Sequence, residues 1–144
     1  MKIKLILIII IALCFSLLHF SCTIPRLIWS QKDIQSFTIN QLSLPNKILI
    51  ASHRSKFKQG IIDNIKNSLQ NEPVYIKFIG IKNLNQQDIN QYKAVLIMTS
   101  CIAWGINSNI TSFLKNNKNN KNIIILTTSA DGEWTPHIEG HQYD

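Results

Sequence analysis

Two stretches carry side chains able to do chemistry. The first is Thr99-Ser-Cys-Ile-Ala-Trp-Gly105. Ser100 offers a hydroxyl, Cys101 a thiol and Trp104 a flat aromatic face. An indole in a loop either stacks on a planar ligand or covers the core, and both uses stand for Trp104. Ser100 lacks the Gly-x-Ser-x-Gly elbow that exposes the nucleophile of α/β-hydrolases, so the motif gives a serine nucleophile little support. Cys101 would be reactive only in an activating environment. No histidine is predictably beside it, and a buried structural cysteine is the commoner case. The second stretch is the tail, where His137 and His141 stand four apart with Glu139 and Asp144 nearby. On a helix that spacing puts two imidazoles on one face, as metal sites require. Pro136 and Gly140 oppose a helix there, so no metal is expected.

These residues need elements to position them. Ala94 to Met98 is a continuous apolar run, too short for an ordinary helix and suited to a strand buried on both faces of a parallel sheet. A helical pattern follows, with Ile106, Ile110, Phe113 and Leu114 on one side. Upstream, Asn46 to Ser52 reads as a strand, His53 to Gly60 as a loop, and Ile61 to Leu69 as a helix. Val74 to Ile81 reads as a second strand, near a sheet edge because Lys77 interrupts it. Asn83 to Tyr92 is a short helix or turn. Lys115 to Asn122 is polar and low in complexity, a solvated loop. Ile123 to Ser129 is a further strand, left by a turn at Ala130-Asp-Gly132. The order is β-α-β-(short α)-β-α-β, which predicts a parallel sheet with helices on both faces. Ligands of such sheets lie at the carboxyl ends of the strands, so the loop after Met98 should help to form any site.

The chain has 144 residues, of which 45% are hydrophobic, so it lacks the composition of a disordered protein. Lys2 and Lys4 belong to an apolar leader. Without them, 13 of the 15 Lys/Arg remain against 8 Asp/Glu. This mild excess suits an anionic ligand or a lipid surface, or simply a solvated lysine-rich face. Nothing in it argues for nucleic acid.

Leu5 to Leu18 forms the apolar part of the leader, 14 residues long. As a helix it would reach about 21 Å, short of the roughly 30 Å of a bilayer core. It reads first as an export signal. Extension through Phe20 leaves an uncleaved anchor as an alternative. The leader ends Leu18-His-Phe-Ser-Cys22, which resembles a bacterial lipoprotein signal at Ser21 and Cys22 but departs from it at His19 and Phe20. The resemblance implies lipidation of Cys22. Lipid or helix alike would hold the rest of the chain at the outer side of the cell membrane. The expected organisation is a leader over 1–22, a tether over 23–45 that docks partly on the domain, and an α/β domain over 46–144.

Three segments of this domain resemble the flavodoxin family, in the family's order, over Asn46 to about Gly132. Lys47-Ile-Leu-Ile-Ala-Ser52 is similar to its first strand. Thr99-Ser-Cys-Ile-Ala-Trp-Gly105 is similar to a Gly-Ser-Pro-Ile-Trp-Trp-Gly segment, keeping Ser100, Ile102, Trp104 and Gly105. Thr128-Ser-Ala-Asp-Gly132 is similar to a Thr-Ser-Gly-Gly segment. The resemblance implies a flavodoxin-like three-layer sandwich with a mainly parallel sheet. It also implies flavin mononucleotide (FMN) bound on three loops, and electron transfer as the activity. Ser52, Arg54, Ser55 and Lys56 would hold the phosphate. Trp104, beside Gly105, would stack on the ring, and Ser100, Thr128, Ser129 and Gly132 would line its polar edge. The phosphate loop departs from the family, however. Ser52-His-Arg-Ser-Lys-Phe57 has no glycine, so close backbone approach to a phosphate is hindered. Arg54, Lys56 and Lys58 would have to hold an anion by their side chains, or are solvated charges. Cys101 replaces a proline, and a fifth strand and last helix are not evident. The other reading is a flavin-free envelope lipoprotein that binds another protein.

Overall fold

A computed structural model describes residues 31–102 and 105–129. They form a mixed α/β unit around a five-stranded sheet. The strands are β1 (Phe37–Ile39), β2 (Asn46–Ser52), β3 (Val74–Gly80), β4 (Ala94–Ser100) and β5 (Ile123–Thr128). Their order across the sheet is β1-β3-β2-β4-β5. The last four run parallel, and β1 is antiparallel to β3. Helices α1 (Lys56–Leu69) and α2 (Ser108–Asn116) connect parallel neighbours, and two 3-10 turns, Ile81–Gln86 and Ile89–Gln91, lead into β4.

The alternation of side chains along each strand divides the core between the two faces. Ile50, Ile76, Phe78 and Met98 face α1, whose Ile62 is buried among them. Leu49, Ala51, Ile79, Val95 and Ile97 face the other way, against Ile110, Phe113 and Leu114 of α2. Full burial of one such side chain contributes about 1.5–3 kcal/mol. Ile62 therefore holds α1 down firmly, and with it whatever α1 carries at its start.

Two differences from the sequence expectation bear on function. Helix α1 begins at Lys56, five residues before the apolar period starts, because Ser55 caps it: its side chain accepts from the Lys58 N–H at 3.2 Å. The expected eight-residue loop shrinks to a three-residue connection, and Lys56 and Lys58 become helical. The stretch read as a tether also supplies β1, which covers the β3 edge with Phe37 stacked on Phe78 at 4.4 Å. The sheet thus has five strands, and the one added by this stretch is antiparallel and lies at the edge opposite β5. Among the described residues β5 remains an outer strand, with Ile124 and Leu126 exposed.

Candidate functional site

At the carboxyl end of the sheet the apolar rows give way to hydroxyls. Along the α1 face, Leu96 and Met98 of β4 are followed by Ser100. Ile124 and Leu126 of β5 are followed by Thr128. Ser100 and Thr128 are register partners, with their side-chain oxygens 2.8 Å apart. Thr128 Oγ1 also reaches Thr99 O at 3.4 Å. Above them stands Lys58. It lies on the buried stripe of α1, four residues before Ile62, with Ile65 and Leu69 continuing the same line. The residue is 2% exposed, and its side-chain nitrogen donates to Ser100 Oγ. Among the described residues Lys58 has no carboxylate partner. Burial disfavours its charged form and holds its pKa below the usual lysine range.

A second polar group stands beside this row. His53, directly after β2, is 2% exposed, and its Nε2 lies 3.8 Å from Asp33. Burial lowers the His53 pKa; Asp33 opposes that shift, and Lys58 adds to it. His53 Nδ1 and the Thr99 hydroxyl are buried without a hydrogen-bond partner. Asp33 belongs to a short segment that crosses the carboxyl ends of three strands. Gln31 Nε2 donates to Ser100 O at 3.3 Å, at the end of β4. Ile34 N donates to Ser52 O, and Arg54 N to Lys32 O, at the end of β2. Asp33 Oδ2 accepts from Lys82 N at 3.0 Å, just past β3.

This strap changes the use of the residues expected to bind a cofactor. Ser52 is fully buried, and its hydroxyl donates to His53 O at 2.8 Å. Ser55 is the helix cap. Only Arg54 and Lys56 of the expected phosphate set present exposed side chains. Ser100, Thr128 and Ser129 are half-buried at the strand ends, and Gly105 exchanges two backbone hydrogen bonds with Ile102. Trp104, Gly132, Cys22, His137 and His141 lie outside the described residues. No group of three or more metal-ligating side chains occurs among the described residues.

Sequence reasoning had Lys58 as an anion contact or a solvated charge and missed its burial beside Ser100; Asp33 and His53 it missed as site residues altogether. The spacing of Lys58, Ile62, Ile65 and Leu69 was the available signal, since it places the lysine on the apolar stripe. Asp33 and His53 carried no comparable local signal. A depression of about 390 Å³ lies elsewhere, at the amino end of β5, between Ile89, Asn90 and the polar loop from Lys115 to Asn120. It holds none of this constellation. Comparison with protein-family models, with curated proteins and with solved structures yields no match for this chain.

The arrangement fits two kinds of chemistry. A buried lysine with a lowered pKa can act as a base, and the hydroxyl it touches is then the group it would activate. The same ammonium could instead attract an anion.

Proposed function

We propose that the chain is a membrane-tethered, flavodoxin-like domain that works without flavin, as a protein-binding module. The order of the parallel strands, β3-β2-β4-β5, supports the flavodoxin-like reading. It follows the flavodoxin pattern, whose ligand site lies between the two strands here represented by β2 and β4. The observation that carries the flavin-free reading is the strap over that place. Gln31 to Ile34 is hydrogen-bonded at the ends of β4, β2 and just past β3, and Ser52 and Ser55 are already engaged inside the protein.

The binding surface proposed is the β5 edge. Ile124 is 59% exposed and Leu126 37%, on a strand that is outermost among the described residues, an edge to which one more strand can add. Anchoring through Cys22, or through an uncleaved leader helix, would keep this edge at the outer membrane face. Among the described residues no helix is long and apolar enough to cross a membrane.

The FMN reading keeps one observation in its favour. The exposed Arg54 and Lys56 flank the start of α1, with hydroxyls at the neighbouring strand ends. The absorption spectrum of the purified full chain separates the two. A colourless protein that leaves FMN fluorescence unquenched is expected. A yellow protein would replace the binding module by an electron carrier. A photo-crosslinker at Ile124 should then trap a protein in membranes, while one at the equally exposed Leu42 should not. Equal trapping from both positions would remove the β5 edge as the docking surface.

A further inference from the structure

We infer that Ser100 is a nucleophile and Lys58 its general base, forming an acyl-transfer site for small esters or amides at the carboxyl end of the sheet. This goes beyond the binding role and does not depend on it. Four observations carry the inference. Lys58 is 2% exposed and, among the described residues, has no acidic partner. A permanently charged ammonium in that position is costly, whereas a neutral amine is not. Lys58 contacts Ser100 Oγ directly, within reach of its proton. Ser100 is also held from the side by Thr128 Oγ1 at 2.8 Å, which fixes the hydroxyl between two partners. Ser100 ends β4 in a half-buried setting, beside the place where the strand order reverses and ligands of such sheets bind.

The step balances without any added cofactor. Neutral Lys58 takes the Ser100 hydroxyl proton as Oγ bonds to the acyl carbon. The carbonyl π pair moves to oxygen. When the oxyanion collapses, the bond to the leaving alkoxide or amine breaks, and the ammonium of Lys58 returns its proton to that group. Water then attacks the acyl-serine, with Lys58 again taking the proton. It passes that proton back to Ser100 Oγ as the carboxylic acid leaves. Lowering of the lysine pKa by burial raises the fraction present as free amine, as a base in this role requires. The charge of Lys58 helps to lower the His53 pKa, and Asp33 stands beside His53. Protonation of His53 would further disfavour the lysine ammonium. Thr128 acts as a positioning residue, through Ser100.

The test is covalent labelling of the full chain with a fluorophosphonate, read by peptide mass, together with release of nitrophenol from nitrophenyl acetate. The expected adduct is on Ser100, and Ser100→Ala removes it. Lys58→Arg keeps the positive charge but supplies no base. It should slow labelling by about 100-fold or more while the protein stays folded. Thr128→Val should slow it less, and Thr128→Ser should restore it. Wild-type labelling should rise with pH along one ionisation below the ordinary lysine value of 10.5, and that limb should be missing in Lys58→Arg. An adduct on another residue, no adduct on folded protein at any pH, or an unchanged rate in Lys58→Arg would overturn the inference. If Lys58→Arg does not fold, the wild-type pH profile decides, and a flat profile is the overturning result.

Discussion

Asp33 occupies the space that a side chain at Gly80 would need. A Cβ at Gly80 would stand 2.7 Å from both Cβ and Oδ2 of Asp33. Gly80 is the last residue of β3 and has ordinary extended backbone, so space and not conformation requires glycine there. The strap is seated through this contact. Gly80→Ala should therefore destabilise the protein by about 1–3 kcal/mol, as overpacking does. Replacing Asp33 by glycine first should reduce that cost markedly. Urea unfolding of the two single variants and the double variant gives the coupling; additive costs would mean that the strap yields without strain.

The four parallel strands were legible because short apolar runs rich in Val and Ile with polar breaks mark buried strands. The start of α1 was not. Lys56-Phe-Lys-Gln-Gly60 reads as loop when apolar spacing is the guide, and Gly60 inside a helix lowers helix propensity. The cap at Ser55 and the burial of Ile62 outweigh that. β1 has three residues and no local period, so only its pairing with β3 defines it. The Ser100 and Thr128 ends were seen as site positions. Lys58 was legible only as an anion contact or a solvated charge, and its contact with Ser100 was not, because a lysine beside other charges reads as exposed. The strap is set by Gly80, Ser52 and Ser100, all distant in sequence, which no local pattern encodes.

Asn40 ties the end of β1 to the turn between α1 and β3. Its Nδ2 reaches the carbonyls of Leu69, Glu72 and Val74 at 2.9, 3.1 and 2.8 Å. Its φ is 63°, a left-handed conformation that asparagine tolerates and alanine resists. Asn40→Gly should lose only the hydrogen bonds. Asn40→Ala should lose those and about 1–2 kcal/mol more from the backbone. Equal melting temperatures for the two variants would show that the conformation relaxes at no cost.

His53 makes stability depend on acid. Its folded-state pKa lies below the ordinary 6.5, chiefly through burial, so the unfolded chain binds more protons in the interval between the two values. Stability is full above 6.5 and falls as pH drops from there through the lowered folded value. His53→Gln should flatten this part of the curve, whatever it does to the absolute stability. Denaturation at a series of pH values measures the slope directly. A slope unchanged by the substitution would assign the acid sensitivity to other groups.

Lys58 acts in the same sense at higher pH. Its folded pKa is lowered by burial from 10.5, so between the two values the unfolded chain again binds more protons. Wild-type stability should rise with pH through that interval. Below it the folded protein carries a buried ammonium with no acidic partner among the described residues. Lys58→Met removes the charge, keeps most of the volume, and leaves Ser100 and Thr128 hydrogen-bonded to each other. The variant should therefore melt several degrees higher at neutral pH, given that about 1 kcal/mol moves the melting temperature of a small domain by 4–8 °C. Its advantage should shrink as pH approaches 10.5. Tyr92 acts oppositely near pH 10, because burial, with Tyr75 and Asp88, raises its pKa. It is present in both proteins and sits against the opposite face of the sheet, so it cancels in the difference. Paired thermal melts across the pH range give that difference. A constant difference, or a less stable Lys58→Met at every pH, would mean that the folded protein compensates the ammonium fully and has no excess of free amine to offer Ser100.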